Sequence, residues 1–124
     1  MKVAQLLPEL NFGGVERGTV DLANFLVSEG HDALVISAGG VLEDELDTKV
    51  KSLQIPISKK SLSALMQFKV LKKILLKERP DIVHLRSRFP AWIYLLATRG
   101  MPNHQKPILA VSYTHLTLPT TPYV

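Results

Sequence analysis

Apolar residues along this chain fall into runs whose spacing alternates between that of a buried strand and that of a helix. The run Lys2-Val3-Ala4-Gln5-Leu6-Leu7 opens as a hydrophobic strand. From Val15 the period becomes helical: Val15, Thr19, Leu22, Ala23 and Leu26 share one face, and Arg17, Asp21, Asn24 and Ser28 the other. Gly30 supplies a residue that ends helices, and residues 32–37, rich in branched side chains, read as a second buried strand. Residues 42–51 predict a short charged helix, and 53–57 a third strand, with Pro56 suited to an edge or a strand end. Helical periodicity returns over 61–78, where Ala64, Phe68, Leu71, Ile74 and Leu75 oppose an arc of Lys69, Lys72, Lys73 and Lys77. Arg79-Pro80 stops that helix, because proline disfavours helical geometry in the residue before it. Residues 81–85 then predict a strand, 91–99 a helix and 107–111 a fifth strand. Such alternation implies α/β architecture: a Rossmann-like parallel sheet with helices on both faces.

Between the first strand and the first helix stands Asn11-Phe12-Gly13-Gly14-Val15-Glu16-Arg17-Gly18. The glycine pair let backbone approach a bound group, and they lie at a helix N-terminus, whose unpaired N–H groups and partial positive charge favour phosphate or carboxylate. A tight turn that allows close helix-to-strand packing is the alternative reading of the same glycines. The segment is neither G-x-G-x-x-G nor a P-loop ending in Lys-Ser/Thr. Nicotinamide-binding folds also place an acid at the end of the second strand, where this chain has Ser37-Ala38-Gly39-Gly40. Both points count against a dinucleotide enzyme such as a nucleotide-sugar epimerase.

Composition narrows the partners. The chain has 124 residues, 46% of them hydrophobic, enough for one domain with a core. Its net charge of +4 and pI near 9.5 come without arginine-rich or aromatic-interleaved runs, so no nucleic acid is expected, and anionic small molecules or membrane surfaces fit better. There is no cysteine, which is compatible with a reducing compartment and excludes thiolate metal sites. The apolar start is too short for a signal peptide, and no run approaches a membrane span. Residues 112–124 lack Asp, Glu, Lys and Arg and are crowded with Thr and Pro. They resemble translated adaptor DNA, so the domain is expected over 1–112 with 113–124 as a non-native tail, a native Pro/Thr-rich loop being the alternative.

The other chemistry-bearing segment is His84-Leu85-Arg86-Ser87-Arg88-Phe89-Pro90-Ala91-Trp92, at the carboxyl end of the fourth strand, where open α/β sheets bind ligands. Arginine forks match phosphate and carboxylate, and imidazole can hold a sugar hydroxyl. The plainer reading makes His84 a core histidine and the arginines solvated or ion-paired. Trp92 reads as packing and His31 as part of a turn. Glu43, Asp44, Glu45 and Asp47 read as a solvated helix face rather than a metal site. The lysine arc on 61–78 reads as a wet face, with docking on anionic lipid as its alternative.

The segments 10–17, 26–32 and 79–92, in this order and at strand ends, resemble the N-terminal half of bacterial family 4 glycosyltransferases, particularly those acting on lipopolysaccharide or other cell-surface glycans. The resemblance covers about residues 1–112. It implies the first of two Rossmann-like domains of a GT-B fold, a retaining mechanism without a bound metal or other cofactor, and a nucleotide-sugar as co-substrate. It places Gly13 and Gly14 against the donor diphosphate and makes His84, Arg86 and Arg88 acceptor or cleft residues. A family histidine just after the fifth strand falls at His115, but Leu116 follows where the family has glycine, and we read that match as coincidence. Catalytic residues stay unassigned. The implied acceptor is a cell-envelope glycan or lipid-linked molecule and the implied location cytoplasmic, with peripheral contact at the inner face of the membrane left open. Without the second domain the fragment is expected to be inactive. The rival expectation is a non-catalytic Rossmann-like module that binds an anion or a partner protein.

Overall fold

The structure is a computed structural model, and it describes residues 1–111. Five parallel strands form one sheet in the order β3-β2-β1-β4-β5, with β1 at Lys2–Leu6, β2 at Asp32–Ser37, β3 at Lys51–Gln54, β4 at Ile82–Leu85 and β5 at Ile108–Val111. Helix α1 (Gly14–Ser28) joins β1 to β2. Helices α2 (Leu62–Leu65) and α3 (Phe68–Glu78) join β3 to β4, and α4 (Arg88–Thr98) joins β4 to β5.

The period-2 pattern of the strands feeds two cores, one on each face. Leu7, Ala33 and Val35 meet Val20, Ala23 and Val27 of α1 on the first face. On the other, Ala4, Leu6, Leu34, Ile36, Val83 and Leu85 meet Leu71 and Leu75 of α3 and Ala91, Ile93, Tyr94 and Ala97 of α4. Helices on both faces of a fully parallel sheet are the expected Rossmann-like arrangement. Because β1 continues to β2 on one side and β4 to β5 on the other, the chain reverses its winding between β1 and β4. A crevice opens there at the carboxyl ends of the strands.

Four local expectations are corrected. The buried stripe of α1 is Thr19, Val20, Ala23 and Val27, while Val15 is 44% exposed, so the helix is rotated from the expected face. Residues 41–45 form a short 3₁₀ turn instead of a helix over 42–51. Strand β3 lies at 51–54, and Ile55 and Ile57, which suggested a strand over 53–57, are buried in the loop that follows it. The helix expected over 61–78 is broken at Met66-Gln67, where the Gln67 amide reaches back only to Ala64 and that of Lys69 to Met66.

The stop at Arg79-Pro80 stands: Arg79 takes a left-handed conformation, φ 49°, as the cap of α3. Beneath it Glu78, with a side chain only 8% exposed, accepts from Lys51 Nζ at 2.6 Å and Lys2 Nζ at 3.3 Å. This ties α3 to the amino ends of β1 and β3.

Candidate functional site

The β1–α1 loop is held in place by the loop after β2. The Leu10 amide donates to Gly39 O and the Leu42 amide to Leu10 O, at 3.1 and 2.8 Å. Gly39 has φ +88°, and a Cβ on Gly40 would overlap the Leu10 carbonyl group. Sequence reasoning saw in Gly39-Gly40 only a missing acid. The pair in fact allow two backbones to touch, which fixes where α1 begins.

Gly13 caps α1 without any side-chain hydrogen bond, and its carbonyl accepts from the Arg17 amide at 2.9 Å. The amides of Gly14, Val15 and Glu16 therefore have no acceptor within the helix. Gly14 is exposed, and a Cβ there would meet nothing within 4 Å. Packing thus does not explain this glycine. Glu16 folds back over Gly13, whose Cβ would stand 2.5 Å from Glu16 Oε1, so the helix carries its own carboxylate at its positive end.

Arg86, the residue after β4, approaches the first turns of α1. Its backbone amide donates to Leu6 O at 3.0 Å, and its Nε donates at 2.9 Å to Oε1 of Gln5. Gln5 is fully buried and passes the chain on, its Nε2 donating to Thr19 O of α1 at 3.0 Å. The guanidinium lies against Gly18, 3.5 Å from where a Cβ would stand. Sequence reasoning missed Gln5, although a lone amide in an otherwise apolar strand is a legible signal, because a buried amide needs partners. Burial lowers the Arg86 pKa, but an arginine stays charged in any protein site. Leu7, Pro8, Glu9, Val15, Glu16, Arg86 and Ser87 enclose a cleft of about 200 Å³ at the crevice.

His84 pairs in register with Gln5 and with Ala110 of β5, and it shares a face of β4 with Arg86, two residues on. It is half-buried. Burial, and then the Arg86 charge, lower its pKa from the ordinary 6.5, so at neutral pH it is an uncharged imidazole able both to donate and to accept.

The structure separates Arg88 from this group. The strand ends at Leu85 and α4 begins at Arg88, which carries that side chain to a recess of about 180 Å³ lined by Lys60, Phe89 and Trp92. Trp92 is 51% exposed, not packed inside. The expected trio therefore divides: His84 and Arg86 lie on the α1 face of β4, while Arg88 lies on α4. His115 lies outside the described residues. Of the acids of 43–47, Glu43 accepts from Ser52 and Gln54, Glu45 pairs with Arg17 at 2.7 Å, and Asp47 accepts from the Lys49 amide. Among the described residues no helix is long and apolar enough to cross a membrane.

A family profile described as Glycosyltransferase Family 4 matches residues 12–123. The chain belongs to glycosyltransferase family 4. Its structure is also similar to the crystal structure of a glycosyltransferase from Rickettsia africae ESF-5, with 35% sequence identity and a TM-score of 0.73. That likeness covers 90% of this chain and 29% of the Rickettsia chain, so this family 4 chain spans under a third of that protein. No curated protein matches it.

Proposed function

We propose that residues 1–112 form the acceptor-side domain of a retaining, GT-B glycosyltransferase that moves a sugar from a nucleotide-sugar to a cell-envelope glycan or lipid-linked acceptor. The observation that carries the reading is that Arg86, held by Gln5 and lying against Gly18, shares a cleft with Val15 and Glu16 of the open first turn of α1 at the crevice between β1 and β4. As the glycosidic bond to the donor breaks, negative charge grows on the departing nucleoside diphosphate. Preorganised N–H groups and a guanidinium held by buried Gln5 offset that charge without reorganising. The diphosphate displaces the Glu16 carboxylate from the helix terminus. His84, uncharged, and Arg88, across the edge, are assigned to the acceptor, and no metal is given a role. The base and ribose of the donor require a facing domain, so on this reading the chain supplies one wall of the cleft and does not turn over alone. The work takes place at the cytoplasmic side of the membrane, where a lipid-linked acceptor would be reached.

The test is Gly14→Leu in the full-length gene product, assayed for sugar transfer from a panel of nucleotide-sugars. Open space around Gly14 leaves the fold intact. Transfer should fall by about a hundredfold or more, the scale for loss of one oxyanion-type contact. Unchanged transfer in the variant would sink the role given to the turn. A wild-type protein that binds diphosphate but transfers no sugar would favour the non-catalytic module.

A further inference from the structure

The recess at the first turn of α4 is built where two separate segments meet. Lys60 comes from the loop after β3, and Arg88, Phe89 and Trp92 come from α4. In the sheet, β2 and β1 stand between β3 and β4, so residues 55–60 carry Lys60 past the two central strands to reach α4 at the carboxyl edge. Ser87 lines the cleft beside the α1 terminus, and Arg88, the next residue, lines this recess. The two cavities are therefore neighbours along that edge.

Phe89 packs against the core, while Trp92, one turn further along α4, keeps 51% of its surface exposed. A large ring left in water at the rim of a cavity presents a π face to a ligand. That face is electron-rich and suits the polarised C–H groups of a sugar ring. The polar groups of the recess are all of one kind: lysine and arginine only donate hydrogen bonds, and both are positive. No Asp or Glu occurs from residue 48 to 77 or from 82 to 111, so neither the loop nor α4 supplies a carboxylate to accept from sugar hydroxyls. A neutral sugar needs acceptors as well as donors, whereas phosphate or carboxylate needs donors alone. The volume, about 180 Å³, is below the roughly 300–1,000 Å³ of sites for drug-sized ligands, so a single sugar residue fits with the remainder of its chain outside.

We infer that this recess holds an anionic sugar, a pyranose bearing phosphate or carboxylate, with its ring on Trp92 and its anion between Lys60 and Arg88. The assignment rests on the proposed function, which gives the donor diphosphate to the α1 terminus and leaves this recess to the second substrate. The anionic residue is then the end of the acceptor nearest the departing diphosphate. Acceptors without an anion there leave two cations unsatisfied and are discriminated against.

The test is titration of the full chain with glucose 6-phosphate, glucuronate, glucose, inorganic phosphate and uridine monophosphate, followed through Trp92, the one tryptophan. At least one of the two anionic sugars should quench Trp92 with a dissociation constant of about 1–10 mM, at least about tenfold tighter than glucose or phosphate, and the two arms distinguish phosphate from carboxylate. Lys60→Gln and Arg88→Gln should each weaken that sugar about tenfold. Trp92→Leu, followed by ligand-observed NMR, should weaken it about fivefold. Lys49→Gln, the same charge change outside the recess, should bind like the wild type. Lys60 and Arg88 are both exposed, so the fold should be kept, which circular dichroism checks. Glucose or phosphate binding as tightly as the anionic sugars, uridine monophosphate binding more tightly, no binding at all, or a loss in Lys60→Gln no larger than in Lys49→Gln would overturn the proposal. These titrations involve no sugar transfer, so their failure strikes the acceptor class alone, whereas unchanged transfer in Gly14→Leu strikes the donor role.

Discussion

Changing Gln5 to leucine tests whether Arg86 is held in place or merely passes the site. Gln5 is fully buried and makes two bonds, accepting from Arg86 Nε at 2.9 Å and donating to Thr19 O at 3.0 Å. Leucine has similar bulk, so the change deletes polar atoms without opening a large cavity. A hydrogen bond to a charged group contributes about 1.5–3 kcal/mol, and the partly exposed guanidinium recovers some of this from water. Thr19 O also has the acceptor role of its own helical turn, so its share is about 0.5 kcal/mol. The net expectation for Gln5→Leu is a loss of about 1–2 kcal/mol, read from urea unfolding followed by Trp92 fluorescence. Arg86→Met alone leaves the Gln5 amide oxygen buried without its donor and should cost a similar amount. The double variant removes both partners together and should cost clearly less than the two single losses added, with a coupling of about 1–2 kcal/mol. Single losses that add to within about 0.3 kcal/mol would refute the claim that Gln5 positions Arg86.

Gly40→Ala should destabilise by about 2 kcal/mol or more, because the new Cβ overlaps the Leu10 carbonyl group and the two loops must separate; a midpoint shift within error would contradict this contact. Lys51 and then Lys2, by hydrogen bonding, hold the Glu78 pKa below its ordinary 4.5. Its contribution is therefore complete above that ordinary value and lost as pH falls through the lowered one. Glu78→Gln should cost about 1–2 kcal/mol near neutrality, discounted for the exposure of both lysines, and the gap to wild type should close in acid, as pH-dependent urea melts would show. Glu16→Gln removes the carboxylate that competes for the α1 terminus and should tighten pyrophosphate binding about threefold, as measured by calorimetry; weaker binding would give Glu16 a different role.

The layer order was legible because apolar runs in β1, β2 and β4 are flanked by segments of helical period, a combination that only a parallel sheet with covered faces accommodates. Local phase was less legible. In α1 the buried stripe shifts from Val15 to Val20 and Val27, since the loop tethered at Leu10 and Gly40, and not propensity, sets where the helix starts. Ile55 and Ile57 gave a strand signal from a buried loop, because periodicity reports burial before hydrogen bonding. Gly13-Gly14 and Arg86 were singled out as candidates by their place at strand ends. Arg88 was grouped with Arg86 because sequence spacing does not reveal that the chain passes from strand to helix between them. The lone amide of Gln5 in an apolar strand signalled a need for partners, but its partner Arg86 lies 81 residues away, across the β1–β4 pairing.

Whether the α1 terminus and Arg86 form one anion site is decided by a ¹⁵N-resolved NMR titration of the chain with pyrophosphate. Saturating shifts of the Gly14, Val15 and Glu16 amides are expected together with Arg86 Nε–H, with a dissociation constant of about 1–10 mM for half a site, and their loss in Gly14→Leu. Resonances that stay still there while those of Lys69, Lys72 and Lys73 move would contradict it.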